Sequence, residues 1–202
     1  MSGRNVTVIG GGPAGMTAAL FAARAGARVT LLERNEKLGK KLYITGKGRC
    51  NVTNTAENPM RAVVRNPRFL FAAFAFLDAP ALRELLAENG CPTCEERGGR
   101  VFPTSQKASD VTRALERALR GANVAVRLNE RVSSLEPWLT SGPVVLATGG
   151  ASYPATGSTG DGYALARALG HTILAPRPSL IPLVTRDEWP QRLQGLSLKN
   201  VR

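Results

Sequence analysis

The sequence predicts an α/β fold organised on a parallel sheet, and three observations at its N-terminus predict it. A run with β-branched residues, Asn5 to Ile9, stops abruptly at glycine. A glycine-rich turn then opens an alanine-rich helical stretch from Ala14 to about Ala25. After Gly26 a second strand, Arg28 to Leu32, ends in an acid, Glu33. Strand, turn, helix and strand in that order make one βαβ unit, which joins parallel neighbours.

The turn reads Gly10-Gly11-Gly12-Pro13-Ala14-Gly15, and Gly10, Gly12 and Gly15 hold the G-x-G-x-x-G spacing. Gly10 allows a tight turn, Gly12 lets the backbone approach a pyrophosphate, and Gly15 lets the helix lie close to the strand. The free N–H groups and positive dipole end of the helix then face the phosphates. Glu33 stands 23 residues after Gly10, where a carboxylate can accept hydrogen bonds from a ribose diol. A glycine turn alone is weak evidence, but here strand, helix, second strand and terminal acid complete its context. The unit is expected to bind a dinucleotide with an unphosphorylated ribose.

A length of 202 residues suits one domain or one and a fraction. Hydrophobic residues at 43% and charged residues at 21% are globular values, so neither disulfides nor a metal is needed to hold a core. No apolar run approaches the ~20 residues of a membrane span. A strand-like N-terminus without a secretory signal points to the cytoplasm. Net charge is +12, which raises the question of nucleic acid. The basic residues are scattered, however, and the densest group, Lys37, Lys40, Lys41, Lys47 and Arg49, directly follows the βαβ unit. A phosphate-rich cofactor accounts for that group at least as well as RNA does. Cys91-Pro92-Thr93-Cys94 lacks a second pair, and the single histidine, His171, is remote. The cysteines are therefore read as incidental, neither zinc ligands nor a redox pair.

Residues Arg34 to Asn58 alternate polar residues and glycines without regular periodicity, which suggests a functional loop. Arg49, Asn51, Thr53 and Asn54 supply convergent donors and acceptors there. Arg61 to Gly90 should form two helices broken near Asp78-Ala79-Pro80, with Phe69, Phe71, Phe74 and Phe76 packing them on the sheet. Glu95 to Val101 should be a hairpin turning at Gly98-Gly99. Ser109 or Asp110 should cap a helix running to Leu119. Val124 to Leu128 reads as a strand, with Arg131 to Leu135 as its possible partner. Val144-Val145-Leu146 reads as a buried strand that meets Ala147-Thr148-Gly149-Gly150. Asp161 to Leu169 should be helical, and Pro176, Pro178 and Pro182 should mark an exit from the domain. A new apolar pattern opens at Leu193 and runs to Val201, as if a sheet were begun and left unfinished.

The chain resembles the bacterial NAD(P)/FAD-dependent flavoprotein family that includes aminoacetone oxidase and the bile-acid dehydro-reductases. The resemblance rests on Gly10 to Gly15, on Thr45-Gly46-Lys47-Gly48-Arg49-Cys50-Asn51-Val52-Thr53-Asn54, and on Gly99 to Pro103. Ala147 to Pro154, Gly157 to Gly162 and Pro178 to Leu183 extend it across the chain. It implies a Rossmann-like FAD-binding domain of the two-dinucleotide-binding flavoprotein type over residues 1–185. Residues 186–202 would begin an inserted β-rich domain that is not completed. By position, Gly10, Gly12, Pro13, Ala14 and Gly15 would hold the pyrophosphate of FAD and Glu33 its adenosine ribose, with Arg34 beside it. Lys41, Arg49, Cys50 and Asn51 would approach the phosphates and flavin. Val132 would meet the adenine through its backbone, and Thr148 and Gly149 would pass beside the nucleotide. No catalytic residue is assigned, because the isoalloxazine ring carries the hydride. The function implied is an FAD-dependent oxidoreductase acting on a small molecule, with NAD(P)H as a candidate electron donor. Members of the family run to about twice this length, so the chain would be an N-terminal cofactor-binding fragment. The alternatives are an RNA-modifying flavoprotein, suggested by the charge, and a nucleotide-binding fragment without catalysis.

Overall fold

The strand Asn5–Ile9 (β1) lies at the centre of a four-stranded parallel sheet. The computed structural model describes residues 3–56, 63, 65–178 and 184–196. β1 pairs on one side with Arg28–Leu32 (β2) and on the other with Val144–Leu146 (β7); β2 pairs in turn with Ala125–Arg127 (β6). The order β6-β2-β1-β7 places the reversal of winding direction between β1 and β7. Open α/β sheets bind ligands at the carboxyl ends of the strands flanking such a reversal.

Residues alternate across the sheet because successive side chains in a strand point to opposite faces. Val8, Val29 and Leu31 face the larger core, which contains Met16, Ala19 and Leu20 of the helix Pro13–Arg24 (α1). The same core takes Val111, Ala114, Leu115, Ala118 and Leu119 of a second helix. Ile9 and Leu32 face a smaller cluster with Val132, Leu135 and Leu165. Pro13 stands at the start of α1, where its missing N–H costs nothing. Gly26, with φ of +88°, ends the helix in the left-handed conformation that a Cβ would strain.

Between β2 and β6 the chain builds a second, antiparallel sheet. Thr53–Asn54 (β3) and Thr93–Glu96 (β4) flank Arg100–Pro103 (β5), and β4 and β5 form the expected hairpin turning at Gly98-Gly99. Two helices, Phe71–Phe76 (α2) and Ala79–Glu88 (α3), precede it, broken at Leu77-Asp78. Asp78 caps α3 by accepting from Ala81 N at 2.8 Å. The expected helical residues 61, 62 and 64 lie outside the described residues. Helix Ala108–Gly121 (α4) then crosses to β6 with its apolar stripe against α1.

Four expectations are corrected. First, Phe69, Phe71 and Phe76 are 85%, 53% and 67% exposed and do not pack on the sheet; only Phe76 finds a ring, edge-on to Phe21 at 4.9 Å. α2 has no buried residue, and its Phe71 and Phe74 line an open groove against β3 and α3. Second, neither Ser109 nor Asp110 caps α4, whose first residue is Ala108. Asp110 is already committed to Arg113 one turn on. Third, residues 131–135 do not pair with β6. Asn129 takes a φ of +56°, and Asn129 N and Glu130 N donate to the carbonyls of Asn35 and Glu33. Those bonds tie the segment to the end of β2 and lead it into the short helix Glu136–Leu139 (α5). Fourth, the Arg34 to Asn58 loop contains 3₁₀ turns over Leu42–Gly48, interrupted at Thr45-Gly46-Lys47, as well as β3.

Helix Asp161–Ala168 (α6) follows β7 as expected. Farther on, Trp189–Arg192 (α7) is a single helical turn, and the expected apolar pattern from Leu193 lies mostly outside the described residues. So do Pro182 and the rest of residues 179–183. Among the described residues no helix is long and apolar enough to cross a membrane.

Candidate cofactor-binding site

At the carboxyl ends of β1, β2 and β7 lies a cavity of about 280 Å³. Gly10, Gly12, Pro13 and Ala14 line it from the turn after β1, and Glu33, Arg34 and Asn35 from the exit of β2. Lys41, Val132, Thr148, Gly149, Ser158 and Asp161 close its other sides. Segments far apart in the chain meet there because each leaves the same edge of one parallel sheet.

The glycine turn behaves as its spacing implies, with each glycine answering a different constraint. Gly10 has a φ of +108°, and a Cβ there would meet the Ala147–Thr148 backbone that leaves β7. A Cβ on Gly15 would overlap the carbonyl oxygen of Gly10. Gly15 therefore sits beneath the turn, outside the cavity lining, and sets the approach of helix to strand. A Cβ on Gly12 would meet nothing within 4 Å. The face of Gly12 is thus an open cradle beside the first N–H groups of α1. Among the described residues no side chain caps that end, and its first turn has no acidic residue, so its first N–H groups are left for an anion.

Glu33 is 7% exposed and is held by the chain on both oxygens. Its Oε2 accepts from Gly11 N at 2.7 Å. Its Oε1 accepts from Asn35 N and from Asn35 Nδ2, each at 2.7 Å. The acid therefore ties the glycine turn to the exit of β2 as well as lining the cavity. Arg34 donates through Nη1 to Thr159 Oγ1 at 2.9 Å and to Asp161 Oδ2 at 3.1 Å. Arg131 reaches the same carboxylate oxygen at 3.0 Å. A hydrogen bond from Thr159, followed by the bonds and charge of Arg131 and the charge of Arg34, holds the Asp161 carboxyl below its ordinary range. Lys41 Nζ donates to Ser152 O at 2.8 Å and to Ser152 Oγ at 3.2 Å, joining the loop after β2 to the loop after β7.

Arg49, Cys50 and Asn51 do not line this cavity. Arg49 stacks on the Phe102 ring at 3.9 Å and donates through Nη1 to Glu96 Oε1 and Gln106 Oε1, both at 2.7 Å. It fastens the Gly46–Asn51 loop to the antiparallel sheet. Cys50 is buried, with a φ of +62°, and burial raises its thiol pKa. Cys91 is also buried and is raised by the same cause, so neither thiol is an activated nucleophile. With its amide turned so that the nitrogen faces the acceptors around it, Asn51 donates to Thr53 O at 3.0 Å and Val101 O at 3.3 Å. Among the described residues no group of acids, cysteines or histidine is arranged to hold a metal.

Asn35, Glu130, Arg131, Thr156, Gly157, Ser158 and Asp161 line the cavity without having been singled out as site residues from the sequence. The glycine- and serine-rich run Gly157 to Gly162 was the available signal for the last group.

A family model described as "HI0933-like protein Rossmann domain" matches residues 4–201. The chain is 35% identical over 192 residues to the 3-dehydro-bile acid delta(4,6)-reductase of Clostridium scindens, covering 88% of this chain and 47% of that protein. It is 31% identical over 202 residues to the ribosomal RNA dihydrouridine synthase of Escherichia coli, covering 94% of this chain and 50% of that protein. Among solved structures it matches the Mycobacterium smegmatis Sdh1 complex in the apo form, with a TM-score of 0.54 at 20% identity. That match covers 82% of this chain and 39% of the other, and reflects a shared fold. The chain spans about half the length of the curated relatives it matches.

Proposed function

The chain belongs to the HI0933-like Rossmann-domain family, and on that premise we propose that it binds FAD and serves an oxidoreductase acting on a small molecule. The observation that carries this reading is the open face of Gly12 beside the uncapped start of α1, with Glu33 at the tip of the adjacent strand. A pyrophosphate fits the first and a ribose the second. When bound, FAD supplies a hydride-carrying ring, for which the protein need provide no nucleophile. The chain's own residues bind and orient. Gly10, Gly12, Pro13 and Ala14 cradle the phosphates, with Lys41 near them. Glu33 accepts from the ribose, with Arg34 at the rim, Val132 meets the adenine, and Thr148 and Gly149 line the path of the nucleotide. Arg49 acts at one remove, holding the Gly46–Asn51 loop in place through Glu96 and Gln106. NAD(P)H is the electron donor in this scheme.

A cavity of about 280 Å³ lies just below the roughly 300–1,000 Å³ that enclose drug-sized ligands, so it suits the adenosine half of FAD and not the whole. The isolated chain should then bind ADP within about tenfold of FAD, as measured by calorimetric titration. Recovery of NAD or NADP in place of FAD would overturn the assignment. FAD binding a thousandfold more tightly than ADP would show that the flavin pocket is already formed.

A second reading is favoured by one observation, the net charge of +12, together with the likeness to ribosomal RNA dihydrouridine synthases. In it, the substrate of the hydride step is a base in RNA. Binding to a ribosomal RNA fragment that falls steeply with salt, yet resists heparin, would support it. Equal displacement by heparin would leave the small-molecule reading.

A further inference from the structure

Glu33 holds three of its hydrogen bonds before any ligand arrives, and this limits how it can read a ribose. An ionised carboxylate offers about four acceptor positions, two on each oxygen. Asn35 N and Asn35 Nδ2 fill both on Oε1, and Gly11 N takes one on Oε2. One position remains, whereas a 2′,3′-diol presents two hydroxyls. Recognition of both requires one of the three donors to leave.

Two of the three are fixed. Gly11 lies in the turn, and its own carbonyl accepts from Gly39 N at 2.8 Å. The Asn35 main chain is pinned by Asn129 N, which donates to its carbonyl at 3.0 Å. The side-chain amide of Asn35 turns on its own torsions and already has a second acceptor, Thr156 O at 3.2 Å. It is the donor that can be displaced without leaving a buried group unpaired.

We infer that Asn35 is a specificity-determining residue, whose amide occupies the position on Glu33 that the second hydroxyl of a ribonucleotide must take. The inference rests on reading this cavity as a nucleotide site. Diol binding moves the amide off Oε1 and leaves it on Thr156. It thereby couples ribose occupancy to the Thr156–Gly157 segment, where a Cβ on Gly157 would lie 2.6 Å from Asn35 Nδ2. A 2′-deoxyribonucleotide needs one position and leaves the amide where it is.

The test is a titration of the chain and of Asn35→Ala with ADP and with 2′-deoxy-ADP. In the parent chain, the gain from the second hydroxyl is offset by loss of the amide, and the two nucleotides should bind within about threefold. A hydrogen bond to a charged group corresponds to roughly tenfold or more in affinity. Asn35→Ala should therefore raise ADP affinity and widen the preference for ADP to roughly ten- to thirtyfold. Asn35→Leu, which keeps the bulk and removes the donor, should widen it likewise. If both nucleotides weaken in parallel in the variants, or if the ratio stays unchanged, the amide is packing only and the inference is wrong. If the parent chain binds neither nucleotide, the reading of the cavity fails and takes this inference with it.

Discussion

Gly15→Ala is expected to lower the melting temperature of the chain by roughly 2–12 °C, the largest stability effect at the site. The added methyl group would overlap the carbonyl oxygen of Gly10, which belongs to a turn with a φ of +108° pressed against the Ala147–Thr148 backbone. Neither partner is the far end of a flexible side chain, so the helix or the turn must move. Overpacking of this kind costs about 1–3 kcal/mol, and each kcal/mol shifts the midpoint by roughly 2–4 °C in a domain of this size. The contrast is Gly12→Ala. Its φ of −74° is ordinary for alanine and its Cβ would meet nothing, so the fold should melt nearly as before. The methyl would stand in the cradle, however, and nucleotide binding should fall. Circular-dichroism melts and ADP titration of both variants separate the glycine that closes helix on strand from the one whose open face lines the cavity. Equal melting of the parent chain and Gly15→Ala would show that the turn has slack this geometry denies it.

Glu33→Ala should weaken ADP and FAD binding by roughly ten- to a hundredfold. Hydrogen bonds to a charged group are worth about 1.5–3 kcal/mol, and each 1.4 kcal/mol is a factor of ten. The substitution also removes the acceptor of Gly11 N, so the glycine turn loses its tie to β2. Glu33→Gln separates the two effects: it keeps an acceptor for the turn and gives up the charge, and should fall between the parent chain and Glu33→Ala. The charge also repels a 2′-phosphate at this position. NADP should therefore fail to compete for the parent chain and begin to compete for Glu33→Gln. A melt that shifts while affinity stays constant would reduce Glu33 to a purely structural acid.

Within the βαβ unit almost everything was legible in the residues. Ile9 to Gly10, Gly12 to Pro13 and Leu32 to Glu33 mark changes of backbone state that depend on neighbours a few positions away, through φ/ψ sterics and the period of apolar residues. Glu33 was identifiable because its place at a strand tip follows from the length of one helix. The family resemblance extended this to Val132, Thr148 and Gly149, all of which line the cavity. Arg49 was not legible. A cation in a glycine-rich loop suggests phosphate, yet its partners, Glu96 and Gln106, stand 47 and 57 residues further along the chain. Asp161, shared by Arg34 and Arg131, and Asn35, bridging Glu33 and Thr156, were hidden in the same way. The four exposed or half-exposed phenylalanines were misjudged because burial depends on what lies opposite an aromatic ring, and composition cannot say. Local sterics and periodicity determined the strands, the turn and the cavity-lining glycines. Which charged group meets which was decided only by tertiary structure, since hydrogen bonds and ion pairs act over a few ångströms and the fold alone brings distant residues that close.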